Sequence, residues 1–69
     1  MAGIVWERAC CGHFSTDKSG THIEATQTVE GWEIKVSKRT RYGYHVQWFE
    51  RATFEEVEAF VEEWGGFLP

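Results

Sequence analysis

Two cysteines and two histidines near the N-terminus are the residues most able to bind a metal or act as a nucleophile: Cys10, Cys11, His13 and His22. A structural zinc site needs convergent ligands, with about two to four residues between paired cysteines. Here the cysteines are adjacent, and adjacent strand residues point to opposite faces of a sheet. We therefore predict no metal site and interpret both cysteines as small apolar fillers in or near the core.

Catalysis would require a nucleophile, a histidine base and a group that orients the base. Cys11 and His13 are close in sequence, but the single aspartate, Asp17, lies in a segment that we interpret as a loop. The sequence contains no glycine-rich phosphate loop, no HExxH and no nucleophile elbow. We therefore predict a protein that is not an enzyme and that uses no cofactor.

A second group of residues combines positive charge with an aromatic ring: Lys35, Lys38, Arg39, Arg41 and Tyr42. A hairpin over residues 35–44 could follow phosphates and stack bases, so nucleic-acid binding is the alternative function. The layout of residues 32–64, a basic sheet followed by an acidic helix, resembles the arm-binding domains of some phage integrases. The net charge of −4 for the whole chain opposes general binding to nucleic acid. A solvated turn explains the same charges without any ligand.

A strip of glutamates, Glu55, Glu58 and Glu62, could bind a protein partner with a basic surface. Some small phage-encoded inhibitors of nucleic-acid enzymes act in this way. The ordinary solvent face of an amphipathic helix explains the same pattern. Our leading prediction is a small non-enzymatic protein that acts by protein–protein contact. It would be a phage or mobile-element inhibitor or regulator of a host factor that handles nucleic acid.

The length of 69 residues predicts a single domain spanning residues 1–69. No stretch approaches the ~20 apolar residues of a membrane span. The start lacks the basic region and long apolar run of a signal peptide. Two adjacent cysteines make no disulfide framework. We therefore expect a cytoplasmic protein without a membrane partner.

The glutamate strip lies on a predicted helix over residues 54–64. Thr53 and Glu56 fit a capping box at its start. The glycine pair at 65–66 favours a left-handed end. Apolar residues recur at helical spacing and form one face: Phe54, Val57, Phe60, Val61 and Trp64.

Upstream, the apolar residues alternate as they do in strands, which predicts strands at about 4–11, 21–29, 32–38 and 42–50. A two-residue turn at Glu30-Gly31 would pair Val29 with Trp32. A loop at residues 39–41 would pair Val36 with Tyr44, and Phe14 to Gly20 has the composition of a loop.

These elements predict an α+β domain, ββββα, in which an antiparallel sheet of three to four strands packs one face against a C-terminal helix. The other sheet face has nothing to cover it and could pair two copies into a homodimer. We expect this open face to carry His45, Gln47 and Phe49. We expect the helix to cover Trp32, Ile34, Val36, Tyr44, Val46 and Trp48.

Overall fold

A five-stranded antiparallel sheet and one helix make up the computed structural model, which describes residues 4–67. The elements are β1 (Glu7–Arg8), β2 (His13–Lys18), β3 (Thr21–Thr28), β4 (Gly31–Thr40), β5 (Gly43–Arg51) and α1 (Phe54–Glu62). Strand order in the sheet follows chain order, so each strand pairs with the next. The α+β class and the C-terminal helix are confirmed, with one strand more than predicted. The predicted bounds, 1–69, extend beyond the described residues at both ends.

The additional strand is β2, in the segment predicted to be a loop. Phe14 faces the helix side and packs against Phe54, with ring centroids 5.2 Å apart. Thr16 donates a hydrogen bond to the carbonyl of Val5 at 2.8 Å. The predicted strand over residues 4–11 was too long, because only Glu7–Arg8 pairs with β2. Residues 4–6 instead cross the helix side, where Trp6 and Ile4 pack against the core.

The β3–β4 hairpin keeps its predicted faces but not its predicted register. Gln27, rather than Val29, pairs with Trp32, and the turn residues are Val29-Glu30. The shift of two residues preserves the side to which each side chain points. β4 begins at Gly31. A larger residue does not fit at this position, because its Cβ would lie 2.7 Å from the carbonyl oxygen of Arg51.

The β4–β5 register differs from the prediction by an odd number of residues, which exchanges the faces of β5. Val36 pairs with Gln47 rather than with Tyr44, and the turn consists of Arg41-Tyr42. The Thr40 hydroxyl tightens this turn by accepting from the amide of Tyr42 at 3.2 Å and donating to the Gly43 carbonyl at 3.1 Å. The predicted loop at residues 39–41 was therefore wrong. Three predicted core residues lie on the open face: Tyr44, Val46 and Trp48.

The core lies between β3–β4 and α1 and is aliphatic at its centre. Its buried residues are Ile23, Ala25, Ile34, Val36, Val57, Val61 and Trp64. An aromatic group packs at each end of the helix. The first comprises Trp6, Phe14, Trp32 and Phe54. The second comprises Phe49, Phe60, Trp64 and Phe67.

The helix begins as predicted and ends two residues early. Thr53 and Glu56 form the expected capping box, with each side chain accepting a hydrogen bond from the other residue's amide at 3.2 Å. At the other end, Lys18 Nζ of β2 donates to the carbonyls of Val61 and Glu62. A cation beside the last helical carbonyls satisfies groups that have no partner within the helix. No helix in the described part of the chain is long and apolar enough to cross a membrane.

Candidate nucleic-acid interface

The open face of β4 and β5 carries two rows of side chains that lie directly opposite each other. Arg39 pairs with Tyr44, and Lys35 pairs with Trp48. Ser37 and Val46 lie between these two pairs. We call these six residues the β4–β5 face. Its apolar row is open to solvent, because the exposed fraction is 71% for Tyr44, 37% for Val46 and 58% for Trp48.

Lys35 and Trp48 are in direct cation–π contact. The Lys35 Nζ lies 5.7 Å from the centroid of the Trp48 ring. Such contacts at exposed sites contribute about 0.5–1 kcal/mol and restrict both side chains. The contact therefore presents a cation and a large ring as one unit on the sheet surface.

The predicted basic residues are only partly brought together. Lys35 and Arg39 belong to the β4–β5 face, whereas Lys38 points to the other side of β4, opposite His45. Arg41 and Tyr42 form the turn, where Tyr42 is 90% exposed. The ion pairs found among residues 4–67 both involve His22, so none of the four hairpin cations is in an ion pair there; Glu24 of β3 is the carboxylate directly opposite Lys35.

Like charges meet at the end of β4 and β5 that is remote from the turn. Glu33 and Glu50 are directly opposite each other on the open face. Such a pair is destabilising in an antiparallel sheet unless a cation lies nearby. The open face of this hairpin therefore changes from basic near the turn to acidic at its far end.

The predicted glutamate strip lies on α1. Glu55 and Glu62 are exposed and Glu58 is half-buried. The neighbouring Glu56 carboxylate is occupied, because its Oε1 accepts from the amides of Ala52 and Thr53. The strip is thus available for contact at its two ends.

His22 has an acidic partner that the sequence analysis missed. Its Nδ1 lies 3.0 Å from Asp17 Oδ1, and its Nε2 lies 3.3 Å from Glu24 Oε2. The hydrogen bond with Asp17 raises the pKa of His22 above its ordinary value of 6.5 against the opposing effect of burial, and the charges of both carboxylates add to the rise. Asp17 was assigned to a loop. The Ser19-Gly20 dipeptide is the turn signal that could have indicated a hairpin there.

The two cysteines are exposed, so their interpretation as core fillers was wrong. They lie in the β1–β2 turn, where Cys11 and Gly12 have φ angles of 55° and 76°. A type I′ hairpin turn requires positive φ angles at both of its central residues. The neighbouring His13 interacts with Thr26 of β3: the His13 Nδ1 lies 3.2 Å from the Thr26 Oγ1. Within residues 4–67, no three His, Cys, Asp or Glu side chains are grouped to hold a metal ion.

Comparison with known proteins gives no family for this chain. No family model matches it, and no curated protein or solved structure matches it. Its function is therefore proposed from the side chains of the β4–β5 face and of α1.

Proposed function

We propose that the protein is a non-enzymatic binding domain whose β4–β5 face contacts single-stranded nucleic acid. The supporting observation is the direct pairing of exposed Tyr44 and Trp48 with Arg39 and Lys35. Aromatic rings stack on unpaired bases, and neighbouring cations contact the phosphates that link them. A surface that combines both in adjacent rows fits a polyanion with accessible bases.

The geometry of the face favours a single strand over a duplex. Tyr44 and Trp48 are four residues apart on one strand, which separates their Cα atoms by roughly 13 Å. Val46 lies between them, so the two rings would stack on different bases. Duplex DNA conceals the faces of its bases within the stack, so exposed rings on a sheet gain little from it.

The charge distribution limits the strength of this binding. Four cations lie on the hairpin, and the chain as a whole has a net charge of −4. Each neutralised phosphate of a single strand contributes about −0.7 to the slope of log affinity against log salt. Lys38 points away from the β4–β5 face, so we expect a slope of roughly −1.5 to −2, as for about two or three phosphate contacts.

Fluorescence polarisation with a labelled single-stranded oligonucleotide tests the proposal directly. Replacing Lys35 and Arg39 with Gln should weaken binding and flatten the salt slope. Replacing Arg8 and Lys38, exposed cations that lie away from the β4–β5 face, with Gln is the control, because it removes the same amount of charge. Equal losses of affinity in both variants would show that only the overall charge matters, which would contradict the proposal.

A second candidate function is contact with a basic protein through the glutamate strip. The exposed ends of the strip, Glu55 and Glu62, support it, since α1 contains no basic residue and neither glutamate is in an ion pair within residues 4–67. This candidate keeps the predicted role of an inhibitor or regulator of a nucleic-acid-handling factor.

A tagged pull-down from host lysate, with and without nuclease, separates the two candidates. A stoichiometric protein that survives nuclease treatment supports the second candidate, provided it is lost when Glu55, Glu58 and Glu62 are changed to Lys. It should be retained when Lys35 and Arg39 are changed to Gln. Recovery of nucleic acid alone supports the first candidate.

A further inference from the structure

The sheet ends at β5, a nine-residue strand with no neighbour on its outer side among the described residues. In antiparallel pairing, alternate residues direct their N–H and C=O groups away from the partner strand. Proteins protect such edges with proline, lysine, bulges or very short strands. The other edge strand, β1, has only two residues, whereas β5 contains neither proline nor lysine.

We propose that β5 pairs with β5 of a second copy of this chain, antiparallel, about a two-fold axis at Val46. This register places Val46 opposite the partner's Val46. It also places Tyr44 opposite the partner's Trp48, and the reverse. Aromatic and β-branched cross-strand pairs are among those that stabilise antiparallel sheets. The three exposed apolar residues of β5 are thus arranged symmetrically about the axis, as an interface between identical surfaces requires.

The charges of the open face are complementary under the same axis. Glu30, Glu33, Glu50 and Arg51 lie together at the far end of the hairpin, so that this end is net acidic. The register places the partner's Tyr42 opposite Glu50 and the partner's Arg41 opposite Arg51. The partner's turn would then lie beside Arg51 as well as these glutamates, and the symmetric contact would occur at the other end.

A groove on the helix side gives a third, independent reason. It has a volume of about 490 Å³ and lies between β5 and α1. Phe49, Phe60 and Trp64 line its apolar part, and its charged lining residues are Arg51, Glu56 and Glu63. The proposed register places the partner's Gly43, which has no side chain, opposite Phe49. The partner's Arg41 follows opposite Arg51, in a groove whose charged lining is net acidic, so the basic turn meets a net negative charge on both sides of the sheet.

The dimer does not depend on the proposed nucleic-acid binding. Directly opposite residues share a face, so both β4–β5 faces would lie on one side of a continuous sheet. Variants at Val46 separate the two proposals. A positive or a negative charge at the axis should break the dimer equally, whereas the two charges should have opposite effects on binding to a polyanion.

Sedimentation equilibrium over a range of concentrations tests the proposal. The wild-type chain should approach twice the 8.0 kDa chain mass as concentration rises. V46K and V46E should each lose this association, because like charges would face each other across the axis. V29K is the matched control, since Val29 is fully exposed in the β3–β4 turn. It should dimerise as the wild type does.

An equimolar mixture of V46K and V46E should recover the dimer mass, because unlike charges then meet at the axis. Recovery also shows that each variant is folded. A wild-type chain that stays monomeric throughout would overturn the proposal and leave β5 free for a strand of a different protein. The proposal would also be overturned if V46K dimerises like the wild type or if the mixture of V46K and V46E stays monomeric.

Discussion

Lys35 and Trp48 face each other across β4 and β5, with the Lys35 Nζ 5.7 Å from the centre of the indole ring. This contact exists because the two-residue β4–β5 turn sets a register in which Trp48 lies opposite Lys35 and points to the open side of the sheet. With the predicted longer loop, Trp48 would have pointed to the helix. The turn therefore places the aromatic rings of β5 on the same surface as the cations of β4.

Trp48 and Trp64 should respond in opposite ways to truncation. Trp48 is 58% exposed and Trp64 is 7% exposed. Trp64→Ala should lower the free energy of unfolding by about 3–5 kcal/mol, since it leaves a cavity in the core. Trp48→Ala should lower stability by only about 1 kcal/mol, through loss of the contact with Lys35, but weaken binding to a single strand by about 1–3 kcal/mol. Denaturant titration and fluorescence polarisation of the same samples measure both. A large loss of stability in Trp48→Ala would contradict its assignment to a binding surface.

Lys18 should contribute more to stability than an ordinary surface lysine. Its ammonium group donates to the carbonyls of Val61 and Glu62 at the end of α1. Lys18→Met should lower the free energy of unfolding by about 1–2 kcal/mol, because these carbonyls lose a charged donor. Lys38→Met, at an exposed position of β4, is the control and should have little effect. Equal urea midpoints for the two variants would rule out a capping role for Lys18.

The His22 site should make stability depend on pH in a definite direction. The carboxylates of Asp17 and Glu24 raise the pKa of His22 in the folded chain above its ordinary value of 6.5. The folded state therefore binds the proton more tightly than the unfolded state. The resulting stabilisation is complete below the unfolded pKa, about 6.5, and is lost as pH rises through the higher folded pKa.

The comparison of wild type with His22→Gln measures this contribution. The difference in free energy of unfolding between them should be larger at low pH and shrink as the pH rises through the folded pKa of His22. An NMR titration of the His22 ring should give that pKa directly. A difference that is constant across this pH range, or a pKa at or below 6.5, would contradict the ion pairs.

Gly31 should not tolerate a side chain. Its φ angle is 149°, and a Cβ would lie 2.7 Å from the carbonyl oxygen of Arg51. Gly31→Ala should therefore destabilise the protein by more than about 1 kcal/mol, because strand backbone has to move. Gly65→Ala is the control, since a Cβ there meets nothing within 4 Å. Similar melting temperatures for the two variants would show that the β4–β5 backbone adapts without cost.

The basic half of the candidate site was predicted from sequence, and its aromatic half was not. Lys35 and Arg39 stand out by charge alone. Tyr44 and Trp48 were assigned to the core, because aromatic residues occupy both faces of β5. Phe49, which was expected on the open face, packs against Phe60 with ring centroids 4.8 Å apart. Alternation alone could not choose between these two faces.

Features that depend on neighbouring residues follow from the sequence alone. Thr53 and Glu56 start the helix wherever the sheet lies, because they satisfy each other's backbone amides. The alternation of β3 and β4 fixed which of their side chains are buried, since only one face of each is apolar. The other features depend on contacts between residues that are distant in sequence. β2 is a strand because its side chains meet partners distant in sequence, such as the end of α1. The face of β5 depends on one tight turn and on packing against Phe60 and Trp64, and a shift of a single residue reverses every side chain along the strand.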